Sequence, residues 1–280
     1  MESQEQRARG EKFRSLHAGP DLLLLPNAWD GGSAVLMEKA GFQAIATTSS
    51  GIAFAQGRPD GERIGRARML EVVARIAERV SIPVSADLET GYGDSPEDVA
   101  ETIRQAIAAG AVGANVEDGT TDGIAPLLPL ERAVERLRAA RAAADAGGVP
   151  FVLNGRTDPY LRLREASPEE RFAETVRRAH AYQEAGADCI FVPGVADAAT
   201  IGRLVREIGP INVLGAFSGV AAPALSELRR LGVRRVTIGG SVAQYAWSAA
   251  RRALEEIRTA GTFSYAAEAI SHAEMNRLMS

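Results

Sequence analysis

The chain has 280 residues, 46% of them apolar and 24% charged, with a formal net charge of −4. That apolar share can fill a large core, and the mildly acidic balance gives no basic field for nucleic acid or an anionic membrane surface. A single cysteine, Cys189, leaves no internal disulfide to form and suits a reducing compartment.

The first ten residues carry no apolar core of a secretory signal. No apolar run reaches the ~20 residues needed to span a bilayer, so the chain is expected to be soluble and cytoplasmic. Short apolar runs of strand length then recur, at 22–27, 44–50, 84–89, 113–118, 151–158, 189–193, 212–217 and 236–239. Each is followed by an alanine-rich amphipathic stretch of helix length, at 32–40, 64–80, 96–109, 130–145, 167–185, 198–208, 224–231 and 241–259. Ser95-Pro-Glu-Asp and Ser167-Pro-Glu-Glu mark helix starts, each a capping serine with proline behind it and acids in the first turn. Lys39-Ala-Gly, Ala108-Ala-Gly, Glu184-Ala-Gly and Arg230-Leu-Gly mark helix ends.

Eight alternating units of this kind predict a single-domain α/β protein, a closed (β/α)8 TIM barrel, which typically uses about 250 residues. A doubly wound open sheet is the alternative, weakened because no Gly-x-Gly-x-x-Gly follows residues 22–27. A further helical stretch at 265–279 is surplus to the barrel. It is expected either to lie on its own barrel or to pack on a neighbouring subunit.

Barrel enzymes build their sites at the C-terminal ends of the strands. Here those ends and the loops behind them carry Asn27, Trp29 and Asp30, then Thr48, Ser49, Ser50 and Gly51, then Asp60. Asp87 and Glu89 follow, then Glu117 and Asp118, then Asn154, Arg156 and Asp158. Asp87 and Glu89 are two apart, so on a strand both would face one centre. Two carboxylates that close repel unless a cation or proton lies between them. Oxygen-only ligation by Asp87, Glu89 and Glu117 suits Mg²⁺, with Mn²⁺ possible. The competing reading pairs these acids with arginines as salt bridges. Arg156 could grip an anionic substrate in a fork, or act as buried glue against Asp158. The two lysines, Lys12 and Lys39, and the three histidines, His17, His180 and His272, lie before the barrel or on helices. A Schiff base or a histidine base at the site is therefore disfavoured.

In order along the chain stand Leu25-Pro-Asn-Ala-Trp-Asp30, Thr47-Thr-Ser-Ser-Gly-Ile52, Gly57-Arg-Pro-Asp60, Asp87-Leu-Glu-Thr-Gly-Tyr-Gly93, Val116-Glu-Asp118 and Asn154-Gly-Arg-Thr-Asp158. On these stretches the chain resembles the isocitrate lyase / phosphoenolpyruvate mutase superfamily over nearly its whole length. The resemblance implies a (β/α)8 barrel whose last helix is exchanged between subunits, in a homodimer or homotetramer. It also implies a Mg²⁺ that stabilises the enolate of a pyruvate-like acid. Asp87 would be the main metal holder, with Asp60, Glu89 and Glu117 completing the shell through waters. Ser50, Gly51 and Ile52 would bind the substrate carboxylate or phosphonate, helped by Arg156, with Trp29, Thr48 and Asn154 as further substrate-binding candidates. Asp60 and Arg156 are also candidate catalytic residues.

The loop after the fourth strand, residues 119–129, has no cysteine, lysine or histidine. It departs from the cysteine-bearing loop of the lyases and from the lysine- and asparagine-bearing loop of the phosphonomutases. Thr120, Thr121 or Asp122 is left as the candidate acid/base, with Thr121 and Asp122 preferred. Gly194 stands where lyases often carry a glutamate. The expected activity is Mg²⁺-dependent C–C bond cleavage of a small 2-oxo or 2-hydroxy carboxylate. The alternatives are P–C chemistry on phosphonopyruvate, or an oxo-acid-binding barrel without catalysis.

Overall fold

The computed structural model describes residues 3–120, 125–217 and 219–280. Eight parallel strands follow one another around a ring: β1 (Leu23–Leu25 with Asn27–Ala28), β2 (Ile45–Thr47), β3 (Val84–Asp87), β4 (Gly113–Glu117), β5 (Val152–Arg156), β6 (Cys189–Val192), β7 (Ile211–Leu214) and β8 (Arg235–Thr237). β1 closes the ring in two halves. Leu23–Leu25 pairs with Arg235–Thr237, and Asn27–Ala28 pairs with β2. Pro26 separates the halves because it has no N–H to donate, though its carbonyl still accepts from the Ala46 amide.

Strand alternation sorts the side chains. Ala86, Leu88, Ala114, Val116, Leu153, Ile190, Val192 and Val213 are buried in one apolar cluster with the surrounding helices. The alternate residues Asp87, Asn115, Arg156, Phe191 and Asn212 face the inside of the ring. The helices start where the capping signals stand: Ser95 and Ser167 each form a capping box, with Asp98 and Glu170 respectively.

Five local features differ from the sequence expectation. Ser3–Ala18 is a helix that closes the N-terminal end of the barrel. Its Phe13 is fully buried among Leu23, Leu25, Ala44, Ala46, Val112 and Val152, but with charged residues around it the segment carries no apolar stripe to read. The run at 44–50 is a strand only to Thr47, because the Thr48 side chain caps a helix, Ser49–Ala55. A short helix, Pro159–Arg162, follows β5, and a small hairpin of Ala216–Phe217 with Val220–Ala221 follows β7. The surplus C-terminal stretch is broken into a 3₁₀ turn, Ser264–Ala267, and a helix, His272–Met279, which Ser271 caps. The Met279 carbonyl accepts from Arg79 of the same barrel.

Candidate active site

At the C-terminal mouth lies a cavity of about 200 Å³. One side is polar: Thr48, Ser49 and Ser50 from the cap of the Ser49–Ala55 helix, Asp60 from the following loop, and Asp87, Asn115 and Arg156 from β3, β4 and β5. The opposite side carries Leu161, Phe191, Pro193, Leu214 and Phe217. Asn27, Asn212 and Thr237 form part of the lining.

Asp87 is fixed from three directions. Its Oδ1 accepts from Asn115 Nδ2 at 2.8 Å, its Oδ2 from the Ser49 amide at 2.9 Å, and its own amide donates to Thr47 Oγ1 at 2.8 Å. Each carboxylate oxygen still has a lone pair free for the cavity. Asp60 is exposed as a residue, but its carboxyl is crowded by protein atoms on the cavity side. Burial and then the Asp87 charge raise its proton affinity above the ordinary carboxylate range.

Glu89 requires a correction. The strand ends at Asp87 and Glu89 has φ +51°, so a left-handed residue breaks the alternation that would have aimed both acids at one point. Glu89 turns toward the neighbouring loop. Its Oε2 accepts from the Glu62 amide at 2.6 Å and its Oε1 from Tyr92 Oη at 2.8 Å. Glu62 in turn accepts from Thr90 Oγ1 and the Tyr92 amide, which ties residues 60–62 to the end of β3. Burial, followed by the Asp87 charge, pushes the Glu89 carboxyl up to about 7.

Glu117 is taken up by Arg156. The two are register partners on β4 and β5, and Arg156 Nη1 lies 2.5 Å from Glu117 Oε2. Burial raises the Glu117 carboxyl, with Arg156 opposing it. Arg156 also forks onto the fully buried Asp158, Nε to Oδ1 at 2.7 Å and Nη2 to Oδ2 at 3.0 Å. It is therefore glue, and it still lines the cavity, with two of its five N–H groups outside these contacts. Asp118 is wholly structural, receiving the Thr157 and Tyr182 hydroxyls and the Asp158 amide.

Of the residues expected to touch substrate, Thr48 and Ser50 line the cavity, their hydroxyls 3.1 Å apart. Trp29 and Ile52 instead pack in an apolar cluster with Met69 and Ile76. Gly51 is wedged among Thr48, Trp29 and Ala243, where a Cβ would come within 2.6 Å of the Thr48 methyl. Asn154 is fully buried, and neither end of its amide has a hydrogen-bond partner among the described residues. Thr121 and Asp122 lie outside the described residues. Around that loop, Gly119 bridges to Leu127, and Arg162 Nη1 donates to the Thr120 carbonyl. Asn115, Asn212, Thr237 and the apolar wall were not singled out from sequence. Their signal is an isolated polar residue within an apolar strand run.

No three of the His, Cys, Asp and Glu side chains converge as a ligand cluster among the described residues. A site built from protein carboxylates alone is thus absent there. What the mouth offers is Asp87 with free lone pairs, Asp60 repelled by it, and oxygen donors around them. That set fits a hard cation held by one or two carboxylates and otherwise by water.

A closed barrel with a polar, acid-bearing cavity at its C-terminal mouth defines a barrel enzyme. A profile of the phosphoenolpyruvate phosphomutase family matches residues 13–258. The chain belongs to this family, within the isocitrate lyase / phosphoenolpyruvate mutase superfamily of lyases and mutases. An uncharacterised protein of Mycobacterium tuberculosis is 34% identical over 249 residues, 87% of this chain and 89% of the relative. The 2-methylisocitrate lyase of Bacillus subtilis is 30% identical over 210 residues, 72% of this chain and 65% of that enzyme. A crystal structure from Burkholderia cenocepacia J2315, provisionally called a lyase/mutase, superposes with a TM-score of 0.93 at 42% identity, covering 99% of this chain and 98% of the other.

Proposed function

We propose that the protein is a Mg²⁺-dependent lyase that cleaves a C–C bond of a small 2-oxo or 2-hydroxy carboxylate through an enolpyruvate-type intermediate. The observation that carries this is Asp87 and Asp60 sharing one small cavity with Arg156. It joins an anion-attracting group to a pair of acids whose repulsion a cation relieves. Asp87 would hold the metal, with Asp60 and, through water, Glu89 around it; Mn²⁺ would serve the same donors. The bound cation would supply positive charge opposite the developing enolate oxygen. Asn115 and the Ser49 amide keep the Asp87 carboxylate aimed at that place. The remaining N–H groups of Arg156, with the Ser50 and Thr48 hydroxyls, would receive the substrate carboxylate. The apolar wall offers water no side-chain hydrogen-bond partner on the far side. A homodimer or homotetramer is the assembly that fits the exposed C-terminal region.

The test is calorimetry with oxalate, a planar dianion that resembles the pyruvate enolate. Wild-type protein is expected to bind oxalate only with Mg²⁺ present. Asp87→Ala is expected to lower that affinity at least about a hundredfold, the loss typical when a charged partner is removed. Oxalate binding that is unchanged in EDTA would sink the reading and favour a non-catalytic oxo-acid-binding barrel. The match to the phosphomutase family supports a second reading, P–C chemistry. Phosphorus NMR with phosphonopyruvate separates the two, since only that activity moves the resonance to a phosphate ester or free phosphate.

A further inference from the structure

The charges of the cavity lie on one side. Asp60, Asp87 and Arg156 are its only charged lining residues among those described, and all come from the β2–β5 half. The facing wall of Leu161, Phe191, Leu214 and Phe217 offers nothing to an anion. Behind it is a second chamber of about 260 Å³, which shares Leu161, Leu214 and Phe217 with the first and continues to Val195, Val220 and Ala222. Among the described residues its one charged lining side chain is Arg164, exposed and with Nε bonded to the Leu161 carbonyl, and its one buried polar group is the Tyr160 hydroxyl, which has no partner there. Gly194, also in the lining, has φ +86°, and a Cβ there would lie 2.7 Å from Leu161 Cδ2. Leu161 thus occupies the space into which a side chain at 194 would extend.

We infer that this chamber receives the distal end of the substrate, and that this end is an uncharged alkyl or aryl group of several carbons. The inference rests on the functional reading above, which puts the carboxylate end at Arg156, Ser50 and Thr48. A ligand anchored there must extend either to solvent or toward the apolar wall. A second carboxylate against that wall would be desolvated without a partner, whereas an alkyl chain gains from burial. The first cavity, at about 200 Å³, is smaller than the roughly 300–1,000 Å³ of ordinary ligand pockets. The second chamber supplies the missing volume. Phe217, 47% exposed on a two-residue strand, is the most exposed member of the wall.

The test is calorimetry on a series of 2-oxo acids, with oxalate as the anchor, each with and without Mg²⁺. The series runs pyruvate, 2-oxobutanoate, 2-oxopentanoate and 2-oxohexanoate, beside the dicarboxylates oxaloacetate and 2-oxoglutarate. Affinity is expected to rise roughly fourfold per methylene, and the dicarboxylates are expected to bind more weakly than neutral chains of equal length. Ala222→Phe, which narrows the chamber only, should flatten the rise beyond 2-oxobutanoate and leave oxalate binding in place as a check on folding. Mg²⁺-dependent oxalate binding with a flat series, or tighter dicarboxylates, overturns the chamber and spares the functional reading. A rise with chain length that needs no Mg²⁺ does the reverse. No binding of any member overturns both.

Discussion

Arg156 shows how one side chain answers two demands. Its guanidinium neutralises Glu117 and the fully buried Asp158 while one edge remains in the cavity lining. Replacing it leaves Glu117 and Asp158 with only the longer contacts of Arg162, at 3.7 and 3.3 Å, and breaking a buried ion pair typically costs about 3–5 kcal/mol. Arg156→Gln is therefore expected to lower the thermal midpoint by several degrees, measured by circular dichroism, and also to weaken oxalate binding. A variant that lost binding at unchanged stability would make Arg156 a ligand only. At this scale the sequence identified groups that stand at strand ends, since Asp87, Ser50, Asp60 and Arg156 all reach the mouth. It misplaced Glu89, because a left-handed backbone at a glutamate leaves no mark in residue order. It passed over Asn115 and Asn212, whose role comes only from facing inward beside their neighbours.

The N-terminal helix illustrates what periodicity cannot show at the scale of an element. Its hold on the barrel is concentrated in Phe13, Gln6 and His17 rather than spread along a stripe. Gln6 donates to the Ile107 and Ala111 carbonyls, and Phe13 fills the barrel end against Gly113. Phe13→Ala should leave a cavity and cost about 3–5 kcal/mol, read as a shift of the urea midpoint at constant slope. His17 Nδ1 pairs with the Phe13 carbonyl, which leaves Nε2 facing Arg235 Nη1 at 3.3 Å. Burial, then the Arg235 charge, lowers its pKa to about 4. A depressed histidine contributes stability that is complete above its unfolded value near 6.5 and is lost as pH falls toward 4. Wild-type protein should therefore lose on the order of 2 kcal/mol more than His17→Gln between pH 7.5 and pH 4.5, in paired urea titrations. Equal losses would show that His17 does not carry this dependence. By contrast, the βα rhythm was plain in the sequence, since capping serines and terminal glycines are local signals that tertiary contacts do not overrule.

For the molecule as a whole, the last forty residues stand apart. Along Ser241–Ala260 and beyond, Tyr245, Trp247, Leu254 and Phe263 are each more than half exposed. So many large apolar side chains left in water on one terminal segment normally mark an interface. We expect it to be covered by a second copy of the chain: sedimentation velocity should find a dimer or tetramer, and Leu254→Glu should shift the population toward monomer. A wild-type monomer at micromolar concentration would contradict this. No helix among the described residues is long and apolar enough to cross a membrane.

The divided first strand has a consequence for assembly in time. Because Leu23–Leu25 waits for Arg235–Thr237, the ring has no complete circuit of hydrogen bonds until all seven other strands have been synthesised. Every earlier stage is an open parallel sheet with two bare edges, the kind of intermediate that folds slowly and pairs with the wrong neighbours. The short stretch around Pro26 is then the latch. One half is ready to pair with β2 as soon as β2 emerges, and the other stays free until β8, the last strand of the ring, is made. Early aggregation, rather than final stability, is where a defect at this seam would be felt first.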